Sequence, residues 1–139
     1  GRKMSKSDEN ANAFISLLDD SKTIVKKFKR AVTDSDMAVY HNREEKPGVS
    51  NLMEIYSCAT GKSLEEITRE FDGKGYGDFK LAVGETVADT LLPVQNEYHR
   101  LLGEKAYLEQ IMHVHAEKAS QIAWRTLSKV RKKVGFVTV

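Results

Sequence analysis

Residues 1–12 are polar and carry no apolar period. Phe14, Ile15, Leu17 and Leu18 then form a short apolar stretch that closes at Asp19-Asp20 and reads as extended. Asp20 or Ser21 can cap a helix by accepting from its free amides. That helix would place Ile24, Phe28, Ala31 and Val32 on one face, with Lys22, Lys26, Lys29 and Arg30 elsewhere. Residues 33–48 are polar, end in Pro47-Gly48 and read as a loop. A second helix is predicted over about Val49 to Ala59, with Leu52, Ile55, Tyr56 and Ala59 inward and Gly61 as its left-handed stop. Ser63-Leu64-Glu65-Glu66 is a capping box, and it opens a short third helix with Leu64 and Ile67.

Gly73, Gly75 and Gly77 predict a flexible turn. From Asp78 a long helix is expected, with Phe79, Val83, Val87 and Leu91 at four-residue spacing. Pro93 should kink or end it, because its ring removes a donor and clashes one turn back. Tyr98, Leu101 and Leu102 continue the pattern to Gly103. The last helix covers roughly Lys105 to Val134, with a stripe of Leu108, Ile111, Met112, Ala119, Ile122, Ala123, Leu127 and Val130. No alternating pattern of useful length occurs. The expected architecture is an all-α helical bundle with at most a two-strand remnant near the start.

Composition narrows the class. At 139 residues one domain is the default. Charged residues at 30% and hydrophobic ones at 40% exclude a bilayer span and a wholly disordered chain. Gly1-Arg2-Lys3 does not lead into the apolar stretch of a secretory signal. The lone Cys58 can form no internal disulfide and fits a reducing compartment, with a cytoplasmic location the expectation. Its neighbours Ile55, Tyr56 and Ala59 make it read as a small buried apolar group.

Several motifs resemble chemistry without supporting it. Gly61-Lys62-Ser63 ends like a P-loop, but Tyr56 stands where the first glycine belongs. In Gly73-Lys74-Gly75-Tyr76-Gly77 the next glycine of a dinucleotide fingerprint is replaced by Asp78. It remains a glycine-rich approach to a helix N-terminus, which can receive a phosphate. His113 and His115 point to different helix faces, and His41 and His99 are isolated, so no metal is expected. Lys118, Arg125, Lys129, Arg131, Lys132 and Lys133 read first as a solvated helix face and are also compatible with RNA.

The informative signal is Lys3-Met4-Ser5-Lys6-Ser7. Two ammonium groups in a segment of small and flexible residues suit a loop that closes over a polyphosphate. Fixed cations there stabilise the charge that builds on a leaving pyrophosphate. The alternative is a basic, solvated terminus.

These five residues resemble the KMSKS signature of class I aminoacyl-tRNA synthetases. From there to its end, the chain is similar to the C-terminal region of bacterial tryptophanyl-tRNA synthetases. The matching stretches include Ser7-Asp8-Glu9-Asn10, Ile15-Ser16-Leu17-Leu18-Asp19-Asp20, Ala31-Val32-Thr33-Asp34-Ser35, Lys46-Pro47-Gly48-Val49-Ser50-Asn51-Leu52 and Gly73-Lys74-Gly75-Tyr76-Gly77-Asp78-Phe79-Lys80. Ile55-Tyr56-Ser57, Thr60-Gly61-Lys62-Ser63 and Ala116-Glu117-Lys118-Ala119 also match. Tyrosyl enzymes of the same subclass are less similar here.

The resemblance implies ATP-dependent activation of tryptophan and its transfer to tRNA(Trp), with Mg2+ accompanying ATP and a homodimeric full-length enzyme. It implies that Lys3 and Lys6 contact the ATP phosphates as the catalytic pair, while Met4, Ser5 and Ser7 complete the ATP-binding loop. Residues 1–12 would be that loop, and 13–139 a helical anticodon-binding domain. Thr33, Asp34, Ser35, Tyr76 with Gly77, and Lys80 are its candidate anticodon contacts, because unstacked bases are read by hydrogen bonds and aromatic stacking. No membrane or DNA partner is implied.

The chain also departs from the family. The Rossmann-type domain with its HIGH-like motif, tryptophan pocket and dimer interface should precede Lys3. Glu9 stands where many relatives have proline. A C-terminal part that cannot activate tryptophan alone is therefore expected, with a mobile 1–12 segment and an exposed apolar patch. A stand-alone RNA-binding module and a helical protein-interaction domain are the competing readings.

Overall fold

Asp20 accepts the Thr23 amide at 2.7 Å and so starts the first helix at the position the sequence predicts. The structure, a computed structural model, describes residues 9–136, and these contain five helices and no strand. They are α1 (Ser21–Lys29), α2 (Pro47–Thr60), α3 (Leu64–Glu70), α4 (Tyr76–Gly103) and α5 (Lys105–Val134). The chain divides into two compact units, Gly1–Asn96 and Glu97–Val139. The loop expected over 1–12 falls mostly outside the described residues.

The first unit holds the core. Ile24 and Phe28 of α1 meet Val49, Met53 and Tyr56 of α2, Ile67 of α3, and Phe79 and Val83 of α4. Tyr56, Phe71 and Phe79 form three edge-to-face ring pairs, with centroids 5.0 to 6.4 Å apart. Such pairs add roughly 0.5–1.5 kcal/mol each beyond the area they bury. Gly84 lets α1 approach α4 closely, since a β-carbon there would lie 3.0 Å from the Val25 Cα.

The helix ends obey their local chemistry. Gly61 stops α2 at φ 75°, and the Ser63–Glu66 capping box opens α3. α2 begins earlier than expected, because Pro47 pre-sets the first helical turn rather than closing the loop. α4 likewise begins at Tyr76, ahead of Asp78, and carries Pro93 without ending there.

Three expectations are corrected. The 14–18 segment is not extended but is folded into turns. The Ser16 amide donates to Asp19 Oδ2, Lys27 donates to the Phe14 carbonyl, and Gln95 donates to those of Leu17 and Asp19. Side chains thus satisfy a backbone that a neighbouring strand would otherwise pair. Val32 is 87% exposed, because α1 ends at Lys29 and the helical face does not reach it. Cys58 is exposed on α2, since Leu52, Met53 and Tyr56 already fill the inward positions.

In the second unit α5 has no buried residue. Leu108 and Ile111 are half-buried, while Met112, Ile122, Leu127 and Val130 of the expected apolar stripe face solvent.

Phe79→Ala should cost about 3–5 kcal/mol, because it empties the centre of the aromatic cluster. Cys58→Ser should stay within about 0.5 kcal/mol of the parent. Urea unfolding of the two variants checks both, and a large loss at Cys58 would restore the buried reading.

Candidate functional site

Between α1 and α2 the chain runs through residues 30–46 without regular structure, and side chains hold it. Asn42 Oδ1 accepts the Glu44 and Glu45 amides at 3.0 and 3.1 Å, while the Asn42 amide donates to Ser50 Oγ at 2.8 Å. Glu54 receives His41 Nε2 at 2.8 Å and Arg43 Nε at 2.9 Å, pinning the loop to α2. Gly48 is required because a β-carbon there would overlap the Val32 carbonyl oxygen.

The loop converges on Lys46, whose side chain is only 3% exposed. Its ammonium lies 2.6 Å from Asp36 Oδ2, 2.9 Å from the Tyr76 hydroxyl, 3.0 Å from Asp34 Oδ1 and 3.2 Å from the Ala38 carbonyl. It also stands 4.5 Å from the centre of the Tyr40 ring. The Tyr76 hydroxyl accepts from Lys46 and donates to Asp34 Oδ1 at 2.6 Å.

Each group tunes the others. The Tyr76 hydroxyl, and after it the Lys46 ammonium, hold the Asp34 carboxyl well below its usual range, at about 2. Burial alone would lower the Lys46 pKa, but hydrogen bonds to Asp36, Tyr76 and Asp34 outweigh it and raise the value. Burial, reinforced by the Asp34 hydrogen bond, pushes the Tyr76 phenol upward. Asp34 Oδ2 is shielded from solvent and has no hydrogen-bond partner among the described residues.

The structure therefore brings Asp34, Tyr76 and Lys80 of the sequence candidates into one region. Lys80 donates to the Ala31 carbonyl at 2.7 Å, and its ammonium lies 6.0 Å from the Tyr76 ring centre. Thr33 is half-buried and Ser35 is exposed. Tyr76 is buried, with its ring in the core and its hydroxyl on Asp34. Lys3, Met4, Ser5, Lys6 and Ser7 lie outside the described residues. Beside the node a 490 Å³ cavity is lined by Met37, Tyr40, Phe71 and Lys74, among others.

Sequence reasoning passes over Lys46, which no period marks. The available signal is a lysine directly before a Pro-Gly helix start, in a loop that also carries Asp34, Asp36 and the aromatic Tyr40.

The chain belongs to the class I tRNA synthetases for tryptophan and tyrosine, the family described as "tRNA synthetases class I (W and Y)", which matches residues 1–92. Within it, the chain is 47% identical over 135 residues to the tryptophan–tRNA ligase of Halalkalibacterium halodurans, covering 97% of this chain and 41% of that protein. It is 48% identical to the corresponding ligase of Oceanobacillus iheyensis, with the same coverage. In fold it is similar to a crystal structure of tryptophanyl-tRNA synthetase from Mycoplasma pneumoniae, with a TM-score of 0.62 and 30% identity, over 71% of this chain and 32% of that one. The chain thus spans about two fifths of the length of the curated relatives it matches.

Lys46→Met should cost about 2 kcal/mol, because it leaves Asp34 and Tyr76 without their charged partner. The stability contributed by Asp34 is complete above the ordinary carboxylate value of 3.8 and is lost as pH falls through about 2. The stability gap between the parent and Asp34→Asn should accordingly shrink between about pH 4 and about pH 2. Urea titrations across that range measure it, and a gap that ignores pH contradicts the assignment.

Proposed function

We propose that this chain is the ATP-phosphate-contacting and anticodon-reading part of a tryptophan–tRNA ligase. The observation that carries the reading is 47% identity over 97% of the chain to an enzyme of that name. In the full-length protein, tryptophan is activated with magnesium-bound ATP and passed to tRNA(Trp), in the cytoplasm and by a homodimer. Residues 1–12 are the signature loop, in which Lys3 and Lys6 neutralise phosphate oxygens as pyrophosphate leaves. Met4, Ser5 and Ser7 shape the loop around the nucleotide. Residues 13–139 form the anticodon-binding domain, and the apolar stripe of α5 is the patch on which the catalytic domain packs.

The node suits the reading of bases. Asp34 is a carboxylate held ionised at the loop surface beside Ser35, and a cytosine amino group is the donor such an acceptor selects once the loop opens to expose it. Lys80 and the first residues of α4, Tyr76 and Gly77, flank it, and Thr33 and Ser35 add hydroxyl groups. A stand-alone RNA-binding or protein-interaction module accounts for the helices equally well, but has no use for Lys3-Met4-Ser5-Lys6-Ser7.

The chain should bind tRNA with a CCA anticodon about tenfold or more tighter than the same tRNA with that anticodon replaced, and Lys80→Ala should narrow the difference. A fluorescence titration reads both, and equal binding of the two RNAs would count against anticodon recognition. The 139-residue chain alone should show no tryptophan-dependent ATP–pyrophosphate exchange. Measurable exchange would mean that a separate catalytic domain is not needed for activation.

A further inference from the structure

α1 carries more positive charge than its fold requires. Lys27 is consumed internally, since it pairs with Asp19 at 2.6 Å and is 9% exposed. Lys22, Lys26 and Lys29 recur at i, i+4 and i+7 on the solvent side, and Arg30 caps the helix. Lys26, Lys29 and Arg30 have no side-chain partner among the described residues. A helix C-terminus presents roughly half a negative charge, so one cation is enough to offset it. Three are present there.

These cations border an open groove of 620 Å³ between α1 and α4. Val25 gives it an apolar wall, and Glu85 is the one carboxylate that lines it among the described residues. Asp20, the N-cap of α1, acts on Lys22 at the start of the strip, while Asp34 and Asp36 in the loop beyond α1 are turned onto Lys46. From Lys22 to Lys29 the helix rises about 10 Å, so the ammonium groups are spread along a line rather than gathered at a point. That distribution fits successive phosphates of a polynucleotide. A membrane surface fits poorly, because an interfacial helix needs a free apolar face and Ile24 and Phe28 are already buried in the core.

We propose that this face of α1 docks the phosphodiester backbone of an RNA whose bases are read at the adjoining Asp34 node. α1 leads directly into that node: Lys80 holds the Ala31 carbonyl at 2.7 Å, just past the end of the helix. The strip is a positioning surface that carries no base preference. That the RNA is a tRNA rests on the function proposed above, whereas the charge distribution of α1 does not.

The test uses the 139-residue chain and its variant Lys22→Gln/Lys26→Gln/Lys29→Gln/Arg30→Gln. All four side chains are exposed and glutamine preserves helix propensity, so the variant keeps the fold. Anisotropy titrations use labelled tRNA with a CCA anticodon and with a replaced one, between about 50 and about 200 mM salt. The slope of log affinity against log salt should flatten by about 3 in the variant, so that across this range the parent weakens about 60-fold more than the variant does. Both RNAs should be affected alike. An unchanged slope overturns the strip, even if the CCA preference persists. A flattened slope with no CCA preference supports the strip and overturns anticodon reading.

Discussion

An ammonium group taken out of water costs several kcal/mol unless its protons find charged or polar oxygens. Lys46 meets that condition with parts drawn from two places: Asp34 and Asp36 with the Ala38 carbonyl in the loop, and Tyr76 at the start of α4. The loop has no ladder of backbone hydrogen bonds to define its path. Its course is set instead by where these oxygens must stand to surround one buried cation. Because Lys46 immediately precedes α2 and Tyr76 opens α4, the same cluster fixes how both helices begin.

The node depends in turn on the packing beneath it. The Tyr76 ring can sit in the core only because Phe79, one turn on, anchors α4 against Tyr56 and Phe71. Gly48 lets the first turn of α2 lie against the Val32 backbone, which brings Thr33 and Asp34 over Lys46. A larger residue would push away the stretch of loop that carries the acids. Core and polar cluster are therefore one cooperative arrangement: the apolar side chains set the helix axes, and the ion cluster sets the loop between them.

The helices were legible because their signals are local. Asp20, Gly61 and the Ser63–Glu66 box each act within one turn of the chain, and each works in the structure as its spacing predicts. Asp34, Tyr76 and Lys80 stand in stretches that resemble the family's, and so does Lys46, but a resemblance alone does not single out Lys46. What makes Lys46 central is the arrival of Tyr76 from 30 residues away, which no local pattern shows. Periodicity also misjudged Cys58 and Val32, since it reports which face a residue is on but not whether that face meets anything. The stripe of α5 shows the same limit on a larger scale. It runs from Leu108 to Val130, and yet no residue of α5 is buried.

Two groups of lysines in and around α1 have opposite roles, which the chain's net charge of +2 conceals. Lys27, Lys46 and Lys80 turn inward, donate to carbonyls and carboxylates, and act as cross-links of the fold. Lys22, Lys26 and Lys29 face water from α1. The inward set engages Asp19, Asp34 and Asp36, which lie close to the outward set in the chain. Internal pairing thus takes Asp19, Asp34 and Asp36 away from the α1 face and leaves Glu85 as the carboxylate in its groove among the described residues. A polyanion approaching this end of the molecule meets the exposed cations of α1 and, a few residues on, the loop that the Lys46 node holds in place.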